Sequence, residues 1–345
     1  MQKLALLGFG TVGQGLAEIL AEKKAALKAE TGWEGKIVAI SDVMKGSIYD
    51  PDGLDIEKAL HIVKRTGTLD DYPDSERLVR DLDSFDTIEQ TNADTIVEVT
   101  FTDVKTGQPA IDHCKAAFRA GKHVVMSNKG PVALAYKELS QLAQQHGVRW
   151  GFEGTVMSGT PALRMPLTAL AGNDIKEITG ILNGTTNYML LRMEEGLSYE
   201  EALEETQQLG YAEADPTSDV EGYDARYKIV ILANTVMNSL LKVDDVQCEG
   251  ITHLTPYDIK KAKSKGKRWK LIARVSNENG QIKASVKPEM LDETHPLASI
   301  QGVLNAVTFE CDLAGTITLS GPGAGRTETG YSLLIDLLNI YRNHL

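Results

Sequence analysis

The chain has 345 residues, of which 42% are hydrophobic and 24% charged, and carries a formal net charge of −12. That length accommodates two domains and a large core, while the acidic excess argues against nucleic acid or an anionic membrane as partner. Three scattered cysteines (Cys114, Cys248 and Cys311) form neither a zinc spacing nor a disulfide framework, and no apolar run reaches the roughly 18 residues of a membrane span, so a cytoplasmic setting is expected.

Taken in order, residues 3–7 read as a strand that ends at Gly8-Phe9-Gly10-Thr11-Val12-Gly13, after which Val12, Leu16, Ile19 and Leu20 recur with a helical period. Strand, glycine turn and helix give a Gly-x-Gly-x-x-Gly its physical meaning. Gly8 permits the tight turn, Gly10 lets backbone approach a pyrophosphate, and Gly13 lets helix and strand pack closely. Thr11 and Val12 open the helix whose unpaired N–H groups face the phosphates. A plain strand–turn–helix is the competing reading. The next strand, 36–41, ends on Asp42, placed to accept from an adenosine ribose hydroxyl as in NAD binders. Lys45 nearby suits the 2′-phosphate of NADP instead.

A turn cluster at 49–53 and a polar, helix-rich stretch to residue 86 carry no assigned function. Strands at 95–99 and 123–126 flank a helix at 110–120, and this alternation predicts an α/β fold with a Rossmann-type, doubly wound parallel sheet. Ligands collect at the C-terminal ends of such strands. Thr100 follows the first of them and Ser127-Asn128-Lys129 the second, so Thr100 and Lys129 are candidates for one crevice; a solvated surface lysine is the alternative at 129. Residues 148–153 continue the strand pattern. The expected division is a dinucleotide-binding domain over 1–150 and an α+β substrate-binding and dimerisation domain over 151–325, with the last helix, 326–345, packing back on the first. Glu153, Val156, Ser158 and Thr160 lie on a glycine-bearing loop whose oxygens suit a monovalent cation, with a domain hinge as the other reading.

Asn183-Gly184-Thr185-Thr186-Asn187 caps one helix, and Ser198 with Glu201 forms a capping box for the next, which ends at Gly210. The stretch 210–228 then gathers Gly210, Glu213, Asp219, Asp224 and Lys228. The spacing of Tyr223, Tyr227, Ile231 and Asn234 predicts one long helix from 219 to about 238, with Asp224 and Lys228 on one face. Acids and a lysine among apolar residues suit a small ammonium-bearing ligand; an exposed ion pair at an acidic helix start is the bland alternative. The basic run 260–268 lacks interleaved aromatics and reads as a solvated helix end. A hairpin over 270–288 turns at Asn279-Gly280, strands at 307–311 and 316–319 follow, and such an antiparallel sheet can extend across a homodimer. Gly321-Pro322-Gly323-Ala324-Gly325 allows close backbone approach before the final helix.

These motifs, in this order, resemble homoserine dehydrogenase over most of the chain, the 183–188 and 210–228 stretches being the most specific. The resemblance implies reversible NAD- or NADP-dependent oxidation of L-homoserine to L-aspartate 4-semialdehyde. It implies acid/base duty for Lys228 and a place at substrate and nicotinamide for Lys129. Gly210, Glu213, Asp219 and Asp224 would form the homoserine pocket. Residues 10–13, Thr100, Lys129 and Gly325, with Gly8, Asp42 and Gly323 beside them, would contact cofactor, and the 153–160 loop is similar to the family's sodium-binding loop. Arg326 and Glu328 stand where small or hydroxyl residues are commoner in the family. The sequence runs only about twenty residues beyond the last glycine cluster, so no threonine feedback is expected. The rival readings are a related oxidoreductase on another amino-acid alcohol or semialdehyde, and a nucleotide-binding sensor without catalysis.

Overall fold

Leu4, Ala5, Leu6 and Leu7 are all fully buried, as a strand covered on both faces requires. They form the centre of the first sheet in a computed structural model that describes residues Met1–His344. The chain divides into two units, one of Met1–Gly159 with the segment from Gly325 onward, the other of Thr160–Ala324.

The first unit runs β1 (Gln2–Leu7), α1 (Thr11–Thr31), β2 (Gly35–Asp42), β3 (Gly46–Tyr49), α2 (Ile56–Thr66), β4 (Val79–Arg80), α3 (Ser84–Gln90), β5 (Thr95–Glu98), α4 (Ala110–Arg119), β6 (His123–Met126), α5 (Lys129–Gln145) and β7 (Trp150–Gly151). Its seven-stranded sheet has the order β4-β3-β2-β1-β5-β6-β7. The strands from β2 through β1 to β7 are parallel, and β3 and β4 add an antiparallel edge. That edge was not legible in a stretch read as polar and helix-rich, because strands of four and two residues are too short to display a period. Chain order reverses between β1 and β5, so the loops after those strands border the crevice where such sheets bind ligands. Residues 150–151 pair with β6 as the last strand of this sheet. The final helix, Arg326–Tyr341, belongs to the same unit and places Leu333, Leu334, Leu337 and Leu338 in one apolar cluster with Leu4, Leu16 and Leu20. It crosses α1 closely, since a Cβ on Gly330 would lie 2.7 Å from the backbone of Gly15.

The second unit contains β8 (Ile175–Ile181), α6 (Gly184–Glu194), α7 (Tyr199–Gln208), the single turn α8 (Thr217–Val220), α9 (Tyr223–Val236), β9 (Gln247–Cys248), α10 (Pro256–Lys263), β10 (Lys267–Glu278), β11 (Gln281–Asp292), β12 (Leu304–Cys311) and β13 (Gly315–Pro322). Its six strands are ordered β13-β12-β8-β10-β11-β9, and Ile181, Ile272, Leu291, Leu297 and Ala306 form a core cluster. The basic run splits between the end of α10 and the start of β10. The expected long helix from 219 is broken. Gly222 adopts φ 79°, ending the turn α8 and starting α9 afresh, and a Cβ there would press on Val286 Cγ1 at 3.0 Å. The break places Asp224 in the first turn of α9.

Candidate active site

In the first unit the glycine turn is fixed by close approach. Gly8 has φ 94°, and a Cβ on it would lie 2.6 Å from the Val99 carbonyl oxygen. A Cβ on Gly13 would meet the Gly8 carbonyl oxygen at the same 2.6 Å. Gly10 differs, because a Cβ there meets nothing within 4 Å, so its missing side chain leaves space above the start of α1. That helix start, where Thr11 and Val12 are the first residues, has no side-chain cap and no acid in its first turn. Uncapped N–H groups beside open space fit a pyrophosphate. At the end of β2, Asp42 accepts from the Phe9 N–H at 2.6 Å and from those of Met44 and Lys45 at 2.9 and 3.0 Å. The acid is thereby tied to the glycine turn, and Val43 and Met44 beside it are exposed.

Glu98, the last residue of β5, is a group the sequence pattern did not single out. It is fully buried and accepts from the Thr100 N–H at 2.9 Å, the Thr100 hydroxyl at 2.5 Å and the Asn128 side-chain amide at 2.9 Å, with His113 Nδ1 2.5 Å away. Thr100 and the segment leading into Lys129, the first residue of α5, are therefore joined through one carboxylate. Gly325 (φ 140°) precedes the final helix in this unit, whereas Gly323 lies in the second, where a Cβ would collide with the Asn305 side chain.

On the 153–160 loop, the buried Glu153 donates its N–H to Asp336 Oδ2 at 2.9 Å, and Ser158 and Thr329 share a hydroxyl hydrogen bond of 2.9 Å. Thr160 lies in the second unit, donating to the Pro322 carbonyl at 3.0 Å, while Glu153, Val156 and Ser158 lie in the first. Among the described residues no three His, Cys, Asp or Glu side chains are grouped to hold a metal. A cation at this loop would depend on carbonyl and hydroxyl oxygens.

In the second unit, Lys228 is buried on α9 and donates to the Leu182 carbonyl oxygen at 2.6 Å and to Asp224 Oδ2 at 2.7 Å. Asn183, the N-cap of α6, donates its side-chain amide to Asp219 Oδ1 at 2.6 Å and to Asp224 Oδ2 at 3.0 Å. Its oxygen accepts from the Thr186 N–H and hydroxyl, both at 2.9 Å, which fixes the orientation of the amide. Burial raises the pKa of Asp219, and the neighbouring Asp224 charge adds to the rise; the Asn183 hydrogen bond opposes both. Thr185 donates to the Tyr211 carbonyl at 2.8 Å and so ties the loop carrying Glu213 to α6. Asp219, Asp224 and Lys228 are thus brought together. Gly210 and Glu213 sit on an exposed turn, where the Glu213 carbonyl accepts from Gln207 at 2.9 Å.

Two residues here escaped sequence reasoning. Asn183 was legible as a cap but not as the bridge between two acids. Lys270, 2% exposed, donates to Asn187 Oδ1 at 2.8 Å and to the Ile300 carbonyl at 2.5 Å. Burial lowers its pKa to about 8, and the charge of Glu194 opposes the fall. The signal was a lysine directly before the apolar run Leu271-Ile272-Ala273 of β10.

A glycine-turned β1–α1 unit beside the point where a parallel sheet reverses its order, joined to a second unit that buries a lysine against acids, defines an NAD(P)-dependent oxidoreductase of Rossmann type. Residues 161–338 match the Homoserine dehydrogenase family, and residues 1–104 match the Glutamate/Leucine/Phenylalanine/Valine dehydrogenase family. The chain is 46% identical to the NAD(+)-dependent homoserine dehydrogenase of Pseudomonas canavaninivorans, covering 99% of this chain and 96% of that protein. It is 43% identical to the homoserine dehydrogenase of Methanocaldococcus jannaschii, with 99% and 98% covered. Among solved structures, it is similar to a hyperthermophilic archaeal homoserine dehydrogenase in complex with NADPH, at TM-score 0.85 and 32% identity, covering 99% and 98% of the two chains. A homoserine dehydrogenase from Thiobacillus denitrificans gives TM-score 0.85 and 31% identity over 99% of this chain and 74% of that one. The chain belongs to the homoserine dehydrogenase family. It is an enzyme that uses NAD or NADP for the reversible oxidation of L-homoserine to L-aspartate 4-semialdehyde, in threonine and methionine biosynthesis.

Proposed function

We propose that Lys228 moves the proton of this reaction, and that Asp224 holds its amine in place. In the oxidative direction the amine takes the hydroxyl proton of homoserine as the carbinol hydrogen leaves as hydride. In the reductive direction the ammonium returns that proton to the aldehyde oxygen. The nicotinamide dinucleotide supplies the hydride acceptor or donor. One observation carries the assignment: a buried lysine amine held at 2.7 Å by the acid one turn before it and at 2.6 Å by a backbone carbonyl.

Asp219 and Asp224, with Glu213 and the Gly210 turn, are assigned to the homoserine ammonium. On the cofactor side, Gly8, Gly10, Thr11, Val12 and Gly13 would hold the pyrophosphate and Asp42 the adenosine ribose, which favours NAD over NADP. Thr100, Gly323 and Gly325 are assigned to the remainder of the cofactor, and Lys129 to the place where substrate and nicotinamide meet, as a second catalytic lysine in addition to Lys228. The 153–160 loop, through Glu153, Val156, Ser158 and Thr160, is assigned a monovalent cation, and activity in sodium against a bulky organic cation tests it. Steady-state kinetics test the substrate assignment. Asp219→Ala should raise the homoserine KM about tenfold or more while leaving the KM for NAD in place; an unchanged homoserine KM would overturn it.

We also infer a homodimer built on the second sheet, because β13 is an edge strand with the exposed Leu304 and Leu313 near it; light scattering on the eluted protein measures the mass. The three unpaired cysteines support a cytoplasmic location.

A further inference from the structure

Among the described residues Glu98 is the one acid placed at the end of a central strand of the first sheet with no exposed surface at all, and its partners come from three different parts of the chain. A buried carboxylate is costly unless donors replace its lost water. Here four do, two from Thr100 just after β5, one from Asn128 just after β6, and one from His113 on α4. His113 is itself buried, with Phe85 packed against its ring edge-on at a centroid distance of 5.1 Å. Its Nδ1 bears the proton when it donates to the ionised acid.

Asn128 is the informative partner. It occupies the N-cap of α5, where an asparagine ordinarily accepts from the helix's own first N–H groups. No such bond forms at this cap. The side-chain amide turns inward and donates to Glu98 at 2.9 Å instead. The last residue before Lys129 is therefore anchored to the interior of the sheet, and so is Thr100, through the same oxygen.

We propose that Glu98 is a positioning residue, a buried anchor that sets both Thr100 and the Asn128–Lys129 peptide for the cofactor, with His113 holding the carboxylate in orientation. This rests on the assignment of Thr100 and Lys129 to the cofactor. The chemistry makes the substitutions unequal. In Glu98→Gln the amide oxygen still serves Thr100 and Asn128, and the new NH₂ faces His113, whose Nδ1 becomes an acceptor in the other tautomer. In Glu98→Met the volume is kept and every acceptor is lost.

The test is NADH binding to the enzyme without substrate, followed by fluorescence titration, together with steady-state KM values and melting temperatures. Glu98→Gln is expected to bind NADH within about threefold of the parent, and Glu98→Met about tenfold or more weaker, with the homoserine KM moving by a smaller factor than the NADH affinity. Should Glu98→Met fail to fold, Asn128→Ala provides the same measurement, because it cuts the link to Lys129 and leaves Glu98 its other donors. NADH binding by Glu98→Met, or by Asn128→Ala in its place, that equals the parent would overturn the proposal. So would equal losses at both substrates tracking the melting temperature, as a merely structural role gives. Thr100→Ala and Lys129→Ala separate the two levels. If neither changes NADH binding, the cofactor assignment itself fails; if both do while Glu98→Met does not, only the anchor fails.

Discussion

Asp224 and Lys228 form a charge pair of 2.7 Å across one turn of α9, with side chains only 15% and 9% exposed. That burial separates the pair from the solvated helix-surface ion pair that the same spacing also allows. An exposed pair contributes about 0–1 kcal/mol, whereas removing one partner of a buried pair leaves an uncompensated charge. Asp224→Ala is therefore expected to destabilise the protein by about 3 kcal/mol or more, measured by denaturant unfolding. Asp224→Asn, which keeps an oxygen acceptor for the amine, should lose clearly less.

Asn183 bridges Asp219 and Asp224 and has its own oxygen occupied by Thr186. Asn183→Ala removes the donor the two acids share and leaves the Lys228 charge to offset their repulsion without it. The homoserine KM should rise about tenfold. Asn183→Asp, which adds a third carboxylate, should be worse still in steady-state assays near neutral pH. A KM for Asn183→Asp below that of Asn183→Ala would contradict the role of the amide as a donor.

The raised pKa of Asp219 gives a pH signature. A folded-state pKa above the unfolded value means that the folded protein holds the proton more tightly. Its contribution to stability is fully present below the unfolded value and is lost as pH rises through the folded one. Asp219→Asn should therefore melt above the parent at neutral pH, and the gap should close as the pH falls into the carboxylate range. A gap that widens on acidification would reverse the sign and count against burial as the cause.

Lys270 gives the opposite window. Its pKa is lowered from 10.5 to about 8, so the folded state binds fewer protons than the unfolded state between those values. Its contribution is present above the upper value and is lost as pH falls through the lower. The melting temperature of the parent, relative to Lys270→Met, should rise between pH 8 and pH 10. A flat difference over that range would mean that the amine is not held away from water.

Local features were legible in the sequence and convergent ones were not. The turn at Gly8 and the pairing of Asp224 with Lys228 are set within a few residues, so motif and helical spacing reveal them. Gly222 also carried a local signal, which the strong period through Tyr223, Tyr227 and Ile231 concealed. Asn183 reaches acids 36 and 41 positions away, and Lys270 reaches Asn187 across 83. No spacing rule covers such distances. Glu98 and Lys270 adjoin apolar runs, which mark the strands as buried but do not show which partners a charge will find there.

The proton-transfer role of Lys228 is tested most directly by chemical rescue. Lys228→Ala should lose about a hundredfold or more in kcat, with homoserine and NAD binding little changed. Small primary amines added in solution should restore part of that turnover, more so for amines compact enough to enter the space left by the side chain. Turnover by Lys228→Ala equal to the parent's, or a loss that no amine of any size or basicity repairs, would contradict the role.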